Sequence, residues 1–141
     1  MKYLNLSLAQ VRKLGARIGK KTAKKGSIIG LSGDLGSGKT TFAKALAMSL
    51  GIKSLKSPTF IVSQRYPLKE NFLYHIDFYR LDHPKQLLSL GLNETFSSNN
   101  IVLIEWVDKF PQIMKKCDIL INFLVKPNNK RDVIIKIPNA K

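Results

Sequence analysis

Two periodicities alternate along this chain. Leu8, Val11, Leu14 and Ile18 recur at helical spacing behind the capping-box sequence Ser7-Leu8-Ala9-Gln10, and the pattern runs until Gly26. A surface helix with one apolar face is expected there. Ser27-Ile28-Ile29-Gly30-Leu31-Ser32 then reads as a short apolar strand, and Thr41-Phe42-Ala43-Lys44-Ala45-Leu46-Ala47-Met48-Ser49-Leu50 as a helix stopped by Gly51. The runs Ile61-Val62-Ser63-Gln64-Arg65-Tyr66 and Phe72-Leu73-Tyr74-His75-Ile76-Asp77, separated by a turn at residues 67–71, predict an antiparallel hairpin. Pro84 suits the first turn of a short helix, Pro84–Leu90, which Gly91 ends, and Ser97-Ser98-Asn99-Asn100 is a loop. Ile101-Val102-Leu103-Ile104 has the character of a strand buried on both faces of a parallel sheet. It delivers Glu105 and Trp106 at its C-terminal end, where ligands bind in open α/β sheets. Residues 118–125 and 131–137, joined by the turn Lys126-Pro127-Asn128-Asn129-Lys130, predict a second hairpin.

These elements define an α/β fold: a mainly parallel sheet extended by antiparallel strands and flanked by helices, in one domain over residues 1–141. A hydrophobic fraction of 44% and a charged fraction of 23% belong to an ordinary globular protein. No run approaches the roughly 18 apolar residues of a membrane span and no apolar leader is present, so a cytoplasmic chain without membrane contact is expected. The single Cys117 cannot form an internal disulfide, and its place before an apolar run marks it as a buried small residue.

Charge changes this picture. The chain has 24 Lys+Arg against 9 Asp+Glu, a net charge of +15, which predicts attraction to polyanions such as RNA. The lysines are spread along the chain, as a general lysine bias would also spread them. The first helix carries Arg12, Lys13, Arg17, Lys20, Lys21, Lys24 and Lys25 opposite its apolar face, and no acid precedes Asp34. A basic, acid-free N-terminus raises a transit peptide as one reading. A helix capped at both ends that leads directly into a strand favours packing on the domain instead.

The chemistry centres on Gly33-Asp34-Leu35-Gly36-Ser37-Gly38-Lys39-Thr40, a full match to the phosphate-loop pattern G-x-x-x-x-G-K-[ST] between a strand and a helix. Glycines let consecutive N–H groups converge on phosphates; Lys39 is expected to reach the β- and γ-phosphates and Thr40 to supply a hydroxyl to Mg²⁺. The helix N-terminus, with Thr41, completes the anion site. Such a loop works with a carboxylate at a strand tip, for which Glu105 and Asp77 are the candidates. A hydroxyl in Ser57-Pro58-Thr59 is placed to sense the γ-phosphate. His75 reads as a base or a packed strand residue, and Trp106 as a cover for the nucleotide or a core aromatic. Asn129-Lys130-Arg131-Asp132 matches the guanine-reading N-K-x-D pattern, but it lies in a turn before a strand rather than between a strand and a helix.

The phosphate loop with Thr41-Phe42, then Ser57-Pro58-Thr59-Phe60, His75-Ile76-Asp77-Phe78-Tyr79-Arg80-Leu81, Leu90-Gly91 and Glu105-Trp106, resembles the bacterial TsaE (YjeE) family in order and spacing over roughly residues 5–137. That resemblance implies a small Mg²⁺-dependent ATPase needed for threonylcarbamoyladenosine at position 37 of tRNAs reading codons that begin with A. It also implies work with a TsaB–TsaD pair in which TsaD transfers the threonylcarbamoyl group. By the same resemblance Lys39 is the loop lysine, Thr40 and Glu105 are the Mg²⁺ ligands, Asp77 is the acid of the H-x-D-x-Y-R motif, and Thr59 is the switch threonine. Val107 departs from the family, where many members carry Pro, and the C-terminal part matches only in hydrophobic pattern, so no contact to base or ribose carries over. Two other classes remain at this stage: a small-molecule kinase, for which the few unclustered arginines make a poor lid, and an RNA-binding module that uses ATP structurally.

Overall fold

Apolar side chains at every position of residues 101–104, and Ile28, Ile29 and Leu31 among the small residues of 27–33, leave neither segment a polar face to turn to water, and this makes both central strands. The computed structural model describes residues 1–56, 62–97 and 99–138. Its strands are β1 (Lys2–Leu6), β2 (Ser27–Gly33), β3 (Ser63–Pro67), β4 (Phe72–Asp77), β5 (Ile101–Glu105), β6 (Ile119–Val125) and β7 (Arg131–Lys136). They form one seven-stranded sheet in the order β1-β7-β6-β2-β5-β4-β3. The central β4, β5, β2 and β6 are parallel, while β3 joins β4, β7 joins β6 and β1 joins β7 antiparallel. Both expected hairpins are therefore present, at the two flanks of the sheet.

Helices α1 (Leu8–Thr22) and α2 (Lys39–Ser49) cover one face, burying Val11, Leu14, Phe42 and Leu46 against Ile29, Leu31, Leu103 and Phe123. On the other face Ile76, Val102 and Ile104 pack with Phe78, Val107, Phe110 and Cys117. The Cys117 thiol donates to Ile113 O at 3.4 Å, and burial pushes its pKa up to about 12. Ser7 caps α1 through the reciprocal bonds with Gln10 that the capping-box sequence predicts. Helix α1 ends at Thr22 rather than at Gly26, because the chain turns there and the Gly26 N–H donates to Thr22 O. Pro84–Leu90 is helical as expected but of the 3-10 type, and Gly91 ends it at φ 64.

Several elements were not expected. Strand β1 pairs with β7 through a register shift between Tyr3 and Leu6, where Asn5 takes φ 56 and its N–H donates to Asp132 Oδ1 at 2.9 Å. Helix α3 (Leu92–Ser97) overlaps the predicted loop by one residue, and a 3-10 turn (Val107–Lys109) and α4 (Pro111–Met114) follow β5. Among the described residues no helix is long and apolar enough to cross a membrane.

Helix α1 approaches α2 closely enough that two positions tolerate no side chain. A Cβ on Gly15 would lie 2.7 Å from Phe42 O, and one on Gly19 would lie 2.9 Å from Leu46 O. Glycine in a helix ordinarily costs about 0.5–1 kcal/mol against alanine, so Gly15→Ala in an open helix would stabilise. Here the added methyl meets backbone, and overpacking of this kind costs about 1–3 kcal/mol. Urea unfolding of Gly15→Ala should show that loss; a stabilised variant would mean that the two helices are not in backbone contact.

Candidate functional site

The loop between β2 and α2 is shaped by its glycines and by one buried ammonium. Gly33 takes φ 142, and a Cβ there would lie 2.6 Å from Phe123 O, so the loop closes against β6 only with glycine. Gly38 caps α2 at φ 113. The buried Lys39 ammonium folds back to donate to the carbonyls of Gly33 and of Asp34, the latter at 3.0 Å, and lies 4.1 Å from the centre of the Trp106 ring. Desolvation lowers its pKa, opposed by the carboxylates of Glu105, Asp108, Asp34 and Asp77. With those two carbonyls turned inward, the first N–H groups of α2 remain at its mouth without helical partners. Ser37 Oγ is buried and has no hydrogen-bond partner among the described residues. Leu35, expected among the nucleotide-binding set, is 70% exposed at the crest of the loop, so only its main chain can take part.

One side of the loop is acidic. Parallel register sets Asp77 of β4 beside Glu105 of β5. The alternation of a strand then turns His75, Asp77 and Glu105 to the face that α2 covers. Thr40 Oγ1 donates to Glu105 Oε1 at 3.2 Å, and His75 Nε2 lies 2.6 Å from Glu105 Oε2. A carboxylate only accepts, so Nε2 carries the shared proton. His75 is thus a packed residue that orients Glu105 rather than a free base. Asp77 accepts from the Tyr79 N–H at 2.9 Å and is half-buried. Desolvation raises its pKa, the charge of Glu105 raises it further, and the Tyr79 N–H opposes both.

The other side is cationic, and sequence reasoning missed it. Arg131 is 3% exposed, with Nε and Nη1 buried and unpartnered among the described residues. Its Cδ lies 3.6 Å from the point a Gly38 Cβ would occupy. A guanidinium with two buried, unpartnered nitrogens beside the N-terminal end of α2 is an arrangement that calls for an anion. The available signal was parity: Arg131 shares a face with the buried Val133 and Ile135. It stands inside the rejected N-K-x-D match, whose Asp132 accepts from the Asn5 N–H and pairs with Lys126 Nζ at 3.1 Å, away from any base-reading position. Trp106, at φ 59, packs on Tyr79 with ring centres 5.1 Å apart. It borders a cavity of about 290 Å³ shared with Gly33, Asp34, Asp108, Asn122 and Phe123. Ser57, Pro58 and Thr59 lie outside the described residues.

A glycine loop from a central parallel strand into a helix, with a carboxylate at the tip of the neighbouring strand, defines a fold of the P-loop class. The family model described as "Threonylcarbamoyl adenosine biosynthesis protein TsaE" matches residues 6–133, and the chain belongs to this family. It is 36% identical to the tRNA threonylcarbamoyladenosine biosynthesis protein TsaE of Haemophilus influenzae over 75% of this chain and 73% of that one. With the protein of the same name from Rickettsia typhi it shares 33% identity over 88% of this chain and 87% of the relative. The crystal structure of Bacillus subtilis YdiB superposes with a TM-score of 0.73 at 28% identity, covering 99% of this chain and 86% of that chain.

The raised pKa of Asp77 has a consequence for stability. The fold favours its protonated form, so this contribution is present at low pH and is lost as pH rises through the folded-state value. Asp77→Asn keeps an acceptor for the Tyr79 N–H and removes the charge. At neutral pH the variant should melt a few degrees above the parent, and the gap should close on acidification. Equal melting temperatures across that range would mean that Asp77 bears no desolvation cost.

Proposed function

We propose that the chain binds ATP with Mg²⁺ in the loop of residues 33–40 and hydrolyses it. Hydrolysis then serves the formation of threonylcarbamoyladenosine at position 37 of tRNAs reading codons that begin with A, together with TsaB-like and TsaD-like proteins. Membership of the family supports the pathway. The observation that carries the ATPase reading is the meeting of the Thr40 hydroxyl and the Glu105 carboxylate beside the buried Lys39 ammonium at the mouth of α2.

The residues fit both groups. Glycines that exclude side chains, N–H groups at a helix mouth, and the cations of Lys39 and Arg131 suit a polyphosphate. Thr40 and Glu105 offer the hard oxygen donors that Mg²⁺ takes, and phosphate oxygens and water would complete its shell. Bound Mg²⁺ supplies neutralisation of the charge that develops on the transferred phosphoryl group. Lys39 exchanges its carbonyl acceptors for phosphate oxygens, and Arg131 contributes a second cation from the β7 side. His75 holds the Glu105 carboxylate in place. Asp77, next to Glu105 across the sheet, orients the attacking water, with Thr59 as the switch threonine. Asp132 is held by Asn5 and Lys126, which favours ATP over GTP.

Removing a preorganised donor from such a site costs about a hundredfold or more. Lys39→Ala should therefore lose ATP binding or turnover while still folding, with a lower melting temperature because the Gly33 and Asp34 carbonyls lose their donor; calorimetry and free-phosphate release read both. Arg131→Ala should weaken ATP by about tenfold or more, the worth of a charged hydrogen bond. A folded Lys39→Ala protein with parental affinity and turnover would overturn the assignment.

Glu105→Gln and Asp77→Asn should separate. The first should raise the Mg²⁺ concentration needed for half-maximal hydrolysis, and the second should leave nucleotide affinity intact while depressing turnover. A Mg²⁺ titration of both variants checks this, and the reverse pattern would exchange the two roles.

A further inference from the structure

Helix α1 turns Val11, Leu14, Gly15, Ile18, Gly19 and Thr22 inward. Directly opposite, Lys13, Arg17 and Lys20 follow one another at i, i+4 and i+7, and Lys24 extends the row into the next turn. Arg12 and Lys21 flank it, and all six are exposed. At about 1.5 Å per residue the row is roughly 16 Å long. No carboxylate occurs before Asp34, and among the described residues the ion pairs are His75–Glu105 and Lys126–Asp132, so none of the six is paired with an acid. Arg17 rests over the Tyr3 ring at 5.6 Å and donates to its hydroxyl at 3.4 Å, contacts that orient the charge without neutralising it. Like charges at i, i+4 repel and disfavour the helix. A linear polyanion relieves that repulsion.

The apolar face of α1 is committed to α2 and the sheet, so this helix has nothing to insert into a lipid surface. Helices α1 and α2 run in the same direction, since Gly15 faces Phe42 and Ala45 while Gly19 faces Leu46 and Ser49. The row therefore begins at the phosphate-loop end of the molecule and leads away from it. We propose that the outer face of α1 docks the phosphate backbone of tRNA, so that this chain touches RNA directly. The proposal rests on the tRNA-modification reading above.

Binding of the full chain to tRNA would be followed by fluorescence anisotropy across a salt series, for the parent, for Lys13→Glu/Lys20→Glu/Lys24→Glu, and for Lys85→Glu/Lys115→Glu/Lys116→Glu. The second set makes the same charge change at exposed sites elsewhere on the fold. Each phosphate contact contributes about 0.7–0.9 to the slope of log affinity against log salt. The α1 variant should lose at least tenfold in affinity and about two units of slope, while the control variant stays within about threefold of the parent. Helical circular dichroism and melting establish that both variants fold, and basal ATP hydrolysis should match the parent in both. Equal losses in the two variants would reduce the effect to net charge and overturn the docking face. Parental protein that hydrolyses ATP without binding tRNA would overturn it and leave the ATPase reading standing, whereas absent ATP hydrolysis counts against that reading alone. Preference for phosphatidylserine vesicles over tRNA would also overturn it.

Discussion

An ammonium group taken out of water must find acceptors, and in this fold the loop that surrounds Lys39 supplies them from its own backbone. The carbonyls of Gly33 and Asp34 turn inward to do so, and because a peptide's carbonyl and N–H point in opposite directions, the inward turn presents N–H groups to the mouth. The dihedrals this demands fall in the left-handed region at Gly36 and Gly38. Gly33 has no room for a Cβ beside Phe123. Lysine burial, glycine placement and anion cradle are thus one constraint seen three times.

Strand order then sorts the charges around that cradle. Strand β2 lies between β5 and β6. Through β5 and β4 it borders Glu105, His75 and Asp77; through β6 and β7 it borders Arg131. The carboxylates thus gather on one side of the loop and the guanidinium on the other, which is the separation of charge that the ATPase proposal draws on. Trp106 bridges the halves, with its ring against the Lys39 ammonium and the Tyr79 side chain.

The parts of this arrangement legible in the sequence are those with short-range signatures. The loop, the capping box of α1, both hairpins and the all-apolar run of β5 leading to Glu105 each declare themselves within a short contiguous stretch of chain, and the family resemblance read from them agrees with the family the chain belongs to. Arg131 did not declare itself, because an arginine after Asn-Asn-Lys reads as part of a solvated turn; only the sheet's alternation and the position of β7 carry it to Gly38. Strand β1 escaped notice because the left-handed Asn5 breaks the alternation that marks a strand. Helix α3 follows Gly91 directly and has no polar cap residue to announce it. Thr59, expected to sense the γ-phosphate, falls in residues 57–61, outside those described.

The kink at Asn5 has a consequence for how the molecule meets other proteins. A straight edge strand offers a free row of N–H and C=O groups, an open invitation for a second chain to extend the sheet. Strand β1 weakens that invitation: its register shifts between Tyr3 and Leu6, and the left-handed Asn5 breaks the regular row of backbone groups. At the opposite edge β3 spans five residues and ends in Pro67, which has no N–H to give. A shifted register at one margin and a proline at the other shorten the run of regular free backbone that a second chain could pair with, which disfavours β-strand exchange.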